Sequence, residues 1–322
     1  MYMKGMLSAS CAGFVMLWLS PSAAFAGGGQ GAVRPMARRA ASLGHQLVRM
    51  KAAPTNGANV KAALEANRVR LDAMSSACPD VSELTRLRFA LAFPIQSEAL
   101  ANLKETVAWR TGAGAAIVAS AEAAVAKATA GGGWDNEPVL SAAPHAAVIN
   151  RYISSKNILT LSTASGDLLY VIRASGIDDR AMMDKVSVPQ MVEFFLYVKE
   201  VHSLVANERS ARTGRLCGVV FANDVTGVRS IPDSRFSKAL STSSEQYEKL
   251  YPSMAGQTMI LNLPFILQAF VGLIKPLFPK TVQDRLMFES APVLAKLTEL
   301  TPLTTDPTSR KSFLAEVTKL LR

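Results

Sequence analysis

Residues 251–279 read YPSMAGQTMILNLPFILQAFVGLIKPLFP, and the whole chain is best approached from this stretch. Tyr251-Pro252 turn into a short apolar strand, Met259 to Leu263. Pro264 has no amide hydrogen to give a sheet and breaks the strand. Phe265 to Ile274 then has helical length, with apolar residues on nearly every side. Lys275-Pro276 stop it, and Leu277, Phe278 and Pro279 follow. An all-round apolar helix needs a covering that water does not supply. It is too short to cross a bilayer. Its covering is therefore protein core, an apolar cavity or a membrane interface.

Upstream, strands alternate with helices. Leu216 to Ala222, LCGVVFA, is an unbroken apolar run of strand length and reads as a strand covered on both faces. Asp167 to Arg173, DLLYVIR, reads as another strand after Gly166. Gly176-Ile177-Asp178 turns into a short helix, with Asp178 as its cap. Ser187-Val-Pro-Gln190 is a capping box with Pro189 in the first turn. Met191, Phe194, Phe195, Val198, His202 and Val205 fall on one face of a long helix, which the charged break from Glu208 to Arg215 is expected to end. Phe236 to Tyr251 reads as a helix and Gln257 to Leu263 as a strand. This alternation predicts an α/β core, a mainly parallel sheet flanked by helices.

Before this core lies a small all-helical unit. Leu84, Leu87, Ala90 and Leu91 have helical spacing, and Pro94 ends that helix. A second helix is expected from a Ser97 cap, with Glu98 in its first turn and Leu100, Leu103 and Val107 on its apolar face. It closes at Trp109-Arg110-Thr111-Gly112. Ala113 to Ala130 is Ala-rich and helical, and Gly131-Gly-Gly133 begins a linker.

The N-terminus carries its own signature. Residues 1–26 have the plan of a secretory signal peptide: Lys4, an apolar run from Met6 to Leu19, Pro21, then Ala24-Phe25-Ala26. Residues 27–63 contain Arg34, Arg38, Arg39, Arg49, Lys51 and Lys61 and no acid, the composition of a transit peptide. The chain holds 35 Lys+Arg and 25 Asp+Glu. Seven of the basic residues precede Ala63, which leaves 28 against 25, or +3, for the rest. The basic charge is mostly a targeting property, and no nucleic-acid-binding signature accompanies it. Cys11, Cys78 and Cys217 form neither a disulfide framework nor a zinc motif, and the latter two read as free buried thiols. His45, His145 and His202 lack metal-ligand spacing. His202 reads as a helix-flank residue. No glycine-x-serine-x-glycine elbow, P-loop or dinucleotide fingerprint is present, so no catalytic residues are expected.

Several strings in order resemble the Sec14-like (CRAL-TRIO) lipid-binding family. LTRLRFALAFPIQSEALANLKETVAWRTG resembles its N-terminal helical module, with a leucine-arginine-phenylalanine helix and a later tryptophan-arginine. Tyr170-Val-Ile-Arg173 with Gly176-Ile-Asp178, and Thr213-Gly-Arg-Leu216 with Asn223-Asp-Val-Thr-Gly227, resemble its first two strands and their turns. Tyr251-Pro252, Asn262-Leu-Pro264, Lys275-Pro276 and Lys280-Thr281 resemble its third strand and gate. The Ser22-Ala-Ala-Phe25-Ala motif is similar to the cleavage site of preproteins in algae with secondary plastids.

The resemblance implies a CRAL-TRIO fold with an apolar gate helix, made of a helical module at 81–130 and a lipid-binding domain at 139–322. It implies a non-enzymatic carrier that takes no cofactor and moves a phospholipid, pigment or prenyl lipid between membranes. The alternative is a lipid sensor that presents its ligand to a protein partner without transfer. The expected pocket lining is Val219, Phe221, Ile260 and Leu261 of the sheet with Phe265, Ile266, Phe270, Leu273, Ile274 and Phe278. Lys275, Lys280 and Arg285 are the expected contacts with a membrane surface, touched reversibly. The expected location is the plastid of an alga with a secondary plastid, with secretion or the endomembrane lumen as the alternative. The sequence departs from the phosphatidylinositol-transfer pattern in three places. Ser253 replaces a glutamate, Asp284 or Arg285 falls at a lysine, and Val219 and Phe221 occupy hydroxyl positions. The family's C-terminal glycine pair is not evident, and a helix from Ser309 to Leu321 is expected to close the domain differently. Burying a sixteen-carbon chain is worth roughly 12 kcal/mol at about 0.8 kcal/mol per methylene, so any such carrier must hold a dry cavity.

Overall fold

The structure, a computed structural model, describes residues 57–131, 135, 137–153, 158–163, 167–225, 232–261, 286–289 and 300–302. The segments 1–26, 27–56, 262–285 and 303–322 lie outside the described residues, and with them the signal peptide, the apolar helix at 265–274 and the helix expected at 309–321.

Among the described residues five helices come first: α1 Val60–Ala66, α2 Arg68–Ala77, α3 Glu83–Ala92, α4 Gln96–Thr111 and α5 Ala115–Thr129. Ser82 caps α3 by accepting from the Thr85 amide, and Pro94 lies just past its end. Helix α4 starts one residue before the expected Ser97 cap. Ile95 occupies the cap position with no side-chain bond, and Ser97 sits inside the first turn. Leu71, Met74, Leu87, Phe89 and Leu103 bury one another as the core of this lobe. Gly114 is required where α5 begins, because a Cβ there would stand 2.5 Å from the Trp109 ring.

Two short helices, α6 Glu137–Ser141 and α7 Ala146–Ile149, lead to the sheet. Its strands are β1 Ile158–Thr163, β2 Leu168–Arg173, β3 Val219–Asp224, β4 Ala255–Leu261, β5 Leu286–Glu289 and β6 Leu300–Pro302. They lie in the order β5-β4-β3-β2-β1-β6. The pairs β2–β3, β3–β4 and β4–β5 are parallel, and β1 is antiparallel to both β2 and β6. The mainly parallel sheet is as expected. The hairpin partner β1 had no reading of its own, although Leu159-Thr-Leu-Ser162 alternates over four residues.

Among the described residues three helices connect β2, β3 and β4: α8 Asp179–Met183, α9 Val188–Thr213 and α10 Ser234–Leu250. Asp178 caps α8, and Ser187 with Gln190 completes the capping box of α9. Helix α9 runs through the charged stretch where a break was expected. Arg212 pairs with Glu208 one turn earlier, and Gly214 in the left-handed conformation (φ 67°) ends the helix. Nor is α9 buried on one face only. Met191, Tyr197, Glu200, Val201, His202 and Ala206 are buried on several sides, because α5, α10, the sheet and α3 all surround it.

Residues 57–63, expected within the targeting segment, belong to the folded body. The Gly57 amide donates to the Leu216 carbonyl (2.9 Å), the Leu216 amide to Ala58 (2.8 Å) and the Val60 amide to Gly214 (2.8 Å). Asn59 and Arg215 thereby form an antiparallel bridge just before β3. Asn59 then caps α1.

Candidate functional site: the two faces of the sheet and the lobe junction

Side chains alternate across a sheet, so each strand presents two rows. One row packs against helices. Leu168, Tyr170 and Val219 of the sheet are buried with Val205 and Ala206 of α9 and Tyr247 of α10. The Phe221 ring stands edge-on to Tyr170 (centroids 6.1 Å) and to Tyr247 (6.4 Å). Val219 and Phe221, two expected pocket residues, therefore stand in the core beneath α9 and α10. The other row carries Leu169 and Val171 of β2, in register with Val220 and Ala222 of β3. Leu169, Val171 and Ala222 are buried and Val220 is half-buried. By register, Ile260 pairs with Asn223 and Leu261 with Asp224. Phe265, Ile266, Phe270, Leu273, Ile274, Phe278, Lys275, Lys280 and Arg285 lie outside the described residues.

His202 is buried at the α9–sheet contact, edge-on to the Tyr170 ring at 4.8 Å. Burial, aided by the Lys199 charge, holds its pKa down to about 3. It is neutral at physiological pH and sits in packing, not in a solvent cleft. Lys199 donates to the Ser243 hydroxyl (3.0 Å) and lies 5.1 Å from the centre of the Tyr247 ring, and burial lowers its pKa to about 7. Cys78 and Cys217 are buried thiols not joined in a disulfide, as read. No group of three or more His, Cys, Asp or Glu able to hold a metal ion occurs among the described residues.

The densest polar chemistry lies where the helical lobe meets α9. Arg110 donates to both oxygens of Glu200 (2.9 and 2.7 Å), a bidentate charge-assisted pair. The Tyr251 hydroxyl donates to the same carboxylate at 2.8 Å. Glu200 is 1% exposed. Arg88, 2% exposed, reaches from α3 to Asn207 Oδ1 (2.8 Å), the Ser253 carbonyl (2.7 Å), Ser210 Oγ (3.3 Å) and the Cys217 carbonyl (2.6 Å). Ser253 accepts that bond from a left-handed backbone (φ 54°), an uncommon conformation for a residue with a side chain. The two arginines thus hold both sides of the Tyr251–Ser253 turn that feeds β4. The sequence contains both arginines in the resembled motifs, but Glu200 sits unannounced in the middle of α9.

Residues 154–304 match the CRAL/TRIO domain model. Among solved structures, that of Sfh5 is similar at 14% identity with a TM-score of 0.42, and the match spans 64% of this chain and 64% of that one. No curated protein matches. The chain thus carries a CRAL/TRIO domain at residues 154–304. Domains of this family bind lipids or other small hydrophobic molecules, and its members are generally carriers without enzymatic activity.

Proposed function

We propose that this chain encloses a hydrophobic ligand on the sheet face opposite α9 and α10 and carries it between membranes. The observation behind this reading is the two-sidedness of the sheet. Helices fill one face, while the other carries Leu169, Val171, Val220 and Ala222, an apolar patch bounded by Asp224 at the strand end. A dry floor of this kind suits an acyl or prenyl chain. The apolar segment Phe265–Ile274 supplies a matching cover in the sequence, and the nearby Lys275, Lys280 and Arg285 suit an anionic membrane interface. Val219 and Phe221 leave the lining in this proposal and act as packing beneath the floor. In this reading the ligand is a phospholipid, a pigment or a prenyl lipid. No helix among the described residues is long and apolar enough to cross a membrane. Contact with the bilayer is then reversible and interfacial.

Native mass spectrometry with lipid extraction tests this on the full chain, purified gently from a membrane-containing host. One lipid or pigment per chain is the expected result. An empty protein that also takes nothing from mixed vesicles would sink the proposal. Rapid exchange between donor and acceptor vesicles marks transfer. Tight binding without exchange marks the lipid-presenting alternative.

A further inference from the structure

A cleft of about 400 Å³ separates the helical lobe from α9. It lies on the helical side of the molecule, away from the proposed lipid face. Its size is within the usual range for small-molecule sites, about 300–1,000 Å³. Phe89, Leu103, Val107 and Leu204 give it an apolar body. Arg88, Glu200, Ser203 and Met254 line it from buried positions, whereas Asp80, Ser82 and Thr111 at its edge are exposed. This is the composition of a ligand site: an apolar chamber with a few converging polar groups at its closed end.

The charges in it do not balance at depth. Arg110 and Glu200 neutralise each other. Arg88 is bonded only to neutral oxygens, and no carboxylate lies within ion-pair distance of it among the described residues. Burial lowers its pKa to about 10, so the guanidinium keeps its charge at neutral pH. Asp167 acts on Arg88 only from beyond ion-pair distance. A buried cation with no carboxylate in contact is costly, and a bound anion would relieve that cost.

We propose that the cleft between α3–α4 and α9 is a second ligand site, one that takes a small carboxylate with an apolar tail and sets its charge against Arg88. The tail occupies the chamber between Val107 and Leu204, and the carboxylate lies at the buried end.

Octanoate is the probe, octanamide its neutral counterpart, and the ¹³C-methyl resonance of Met254 the reporter, on the full chain. Octanoate is expected to bind one per chain and shift the Met254 methyl, and the amide to bind at least about tenfold more weakly, a difference of ~1.4 kcal/mol. Val107→Trp fills the chamber without touching Arg88 and is expected to abolish the octanoate shift at an unchanged unfolding midpoint. Arg88→Met is expected to erase the preference for the acid over the amide. If Arg88→Met fails to fold, the amide comparison and Val107→Trp decide alone. Three results would each overturn the proposal: no shift of Met254 at millimolar octanoate, equal binding of acid and amide, or octanoate binding that survives Val107→Trp.

Discussion

Lys199 shows how a single buried charge writes itself into stability. Its ammonium has one hydroxyl and one ring for company, and burial depresses its pKa to about 7. In the unfolded chain a lysine titrates near 10.4. Between those values the unfolded state binds more protons than the folded one, so stability rises with pH across that window. Below pH 7 both states are charged and the cost is felt in full. Above about pH 10 both are neutral and it vanishes. Lys199→Met is therefore expected to be more stable than the parent at pH 6, with the gap closing by pH 10. Urea midpoints measured across that range check it, and two parallel curves would refute it. At this scale the sequence was legible where a residue's partner is a near neighbour. Asp178 and the Ser187–Gln190 box declared themselves because each bond spans three residues. Arg88 and Glu200 did not, because their partners lie 119 to 165 residues and 51 to 90 residues away.

At the level of elements, periodic and capped segments were readable, and those defined by a distant neighbour were not. The helices from α3 to α5 and from α8 to α10 and the strands β2 to β4 follow from spacing, caps and apolar runs. Strand β1 exists because β2 and β6 flank it. Helix α9 outlasted its expected end because an ion pair within the helix and a left-handed glycine moved the stop to Gly214. The segment 57–60 is the clearest case. Composition assigned it to a targeting peptide, yet its backbone is bonded to residues 214 and 216. We propose that residues 1–56, which hold six basic residues and no acid, act as a plastid-targeting segment. A fluorescent fusion of residues 1–56 is expected to enter the organelle, and one that stays in the cytosol would remove this reading. Removal of residues 1–56 is expected to leave the unfolding midpoint unchanged. Removal through Ala63 strips three backbone hydrogen bonds and the first turn of α1, and is expected to cost about 2–4 kcal/mol at ~1 kcal/mol per bond. Equal stability of the two truncations would show the pairing to be incidental.

For the whole molecule, the division of labour between the two sheet faces makes a prediction of its own. Val220 is half-buried and stands in the row facing away from α9 and α10. Val220→Trp is expected to lower ligand occupancy at least about tenfold, or ~1.4 kcal/mol, while α9 and α10 keep the protein folded. Lipid recovered at the parental level from a folded Val220→Trp protein would show that the ligand lies elsewhere. The fold class was legible because alternating strands and helices admit few arrangements. Which row faces the ligand was not, because Val219 and Val220 are equally apolar and only the placement of α9 and α10 separates them.

The grip of Arg88 on Ser253 also has a consequence in time. Its acceptor lies 165 residues downstream. At roughly 5–20 residues per second, synthesis delivers that acceptor about 8 to 33 seconds after Arg88 itself has been made. Throughout that interval α3 carries a cation that the finished protein buries and the nascent chain must keep in water. The lobe that is made first is therefore among the last to close, and its docking reports that β4 has arrived.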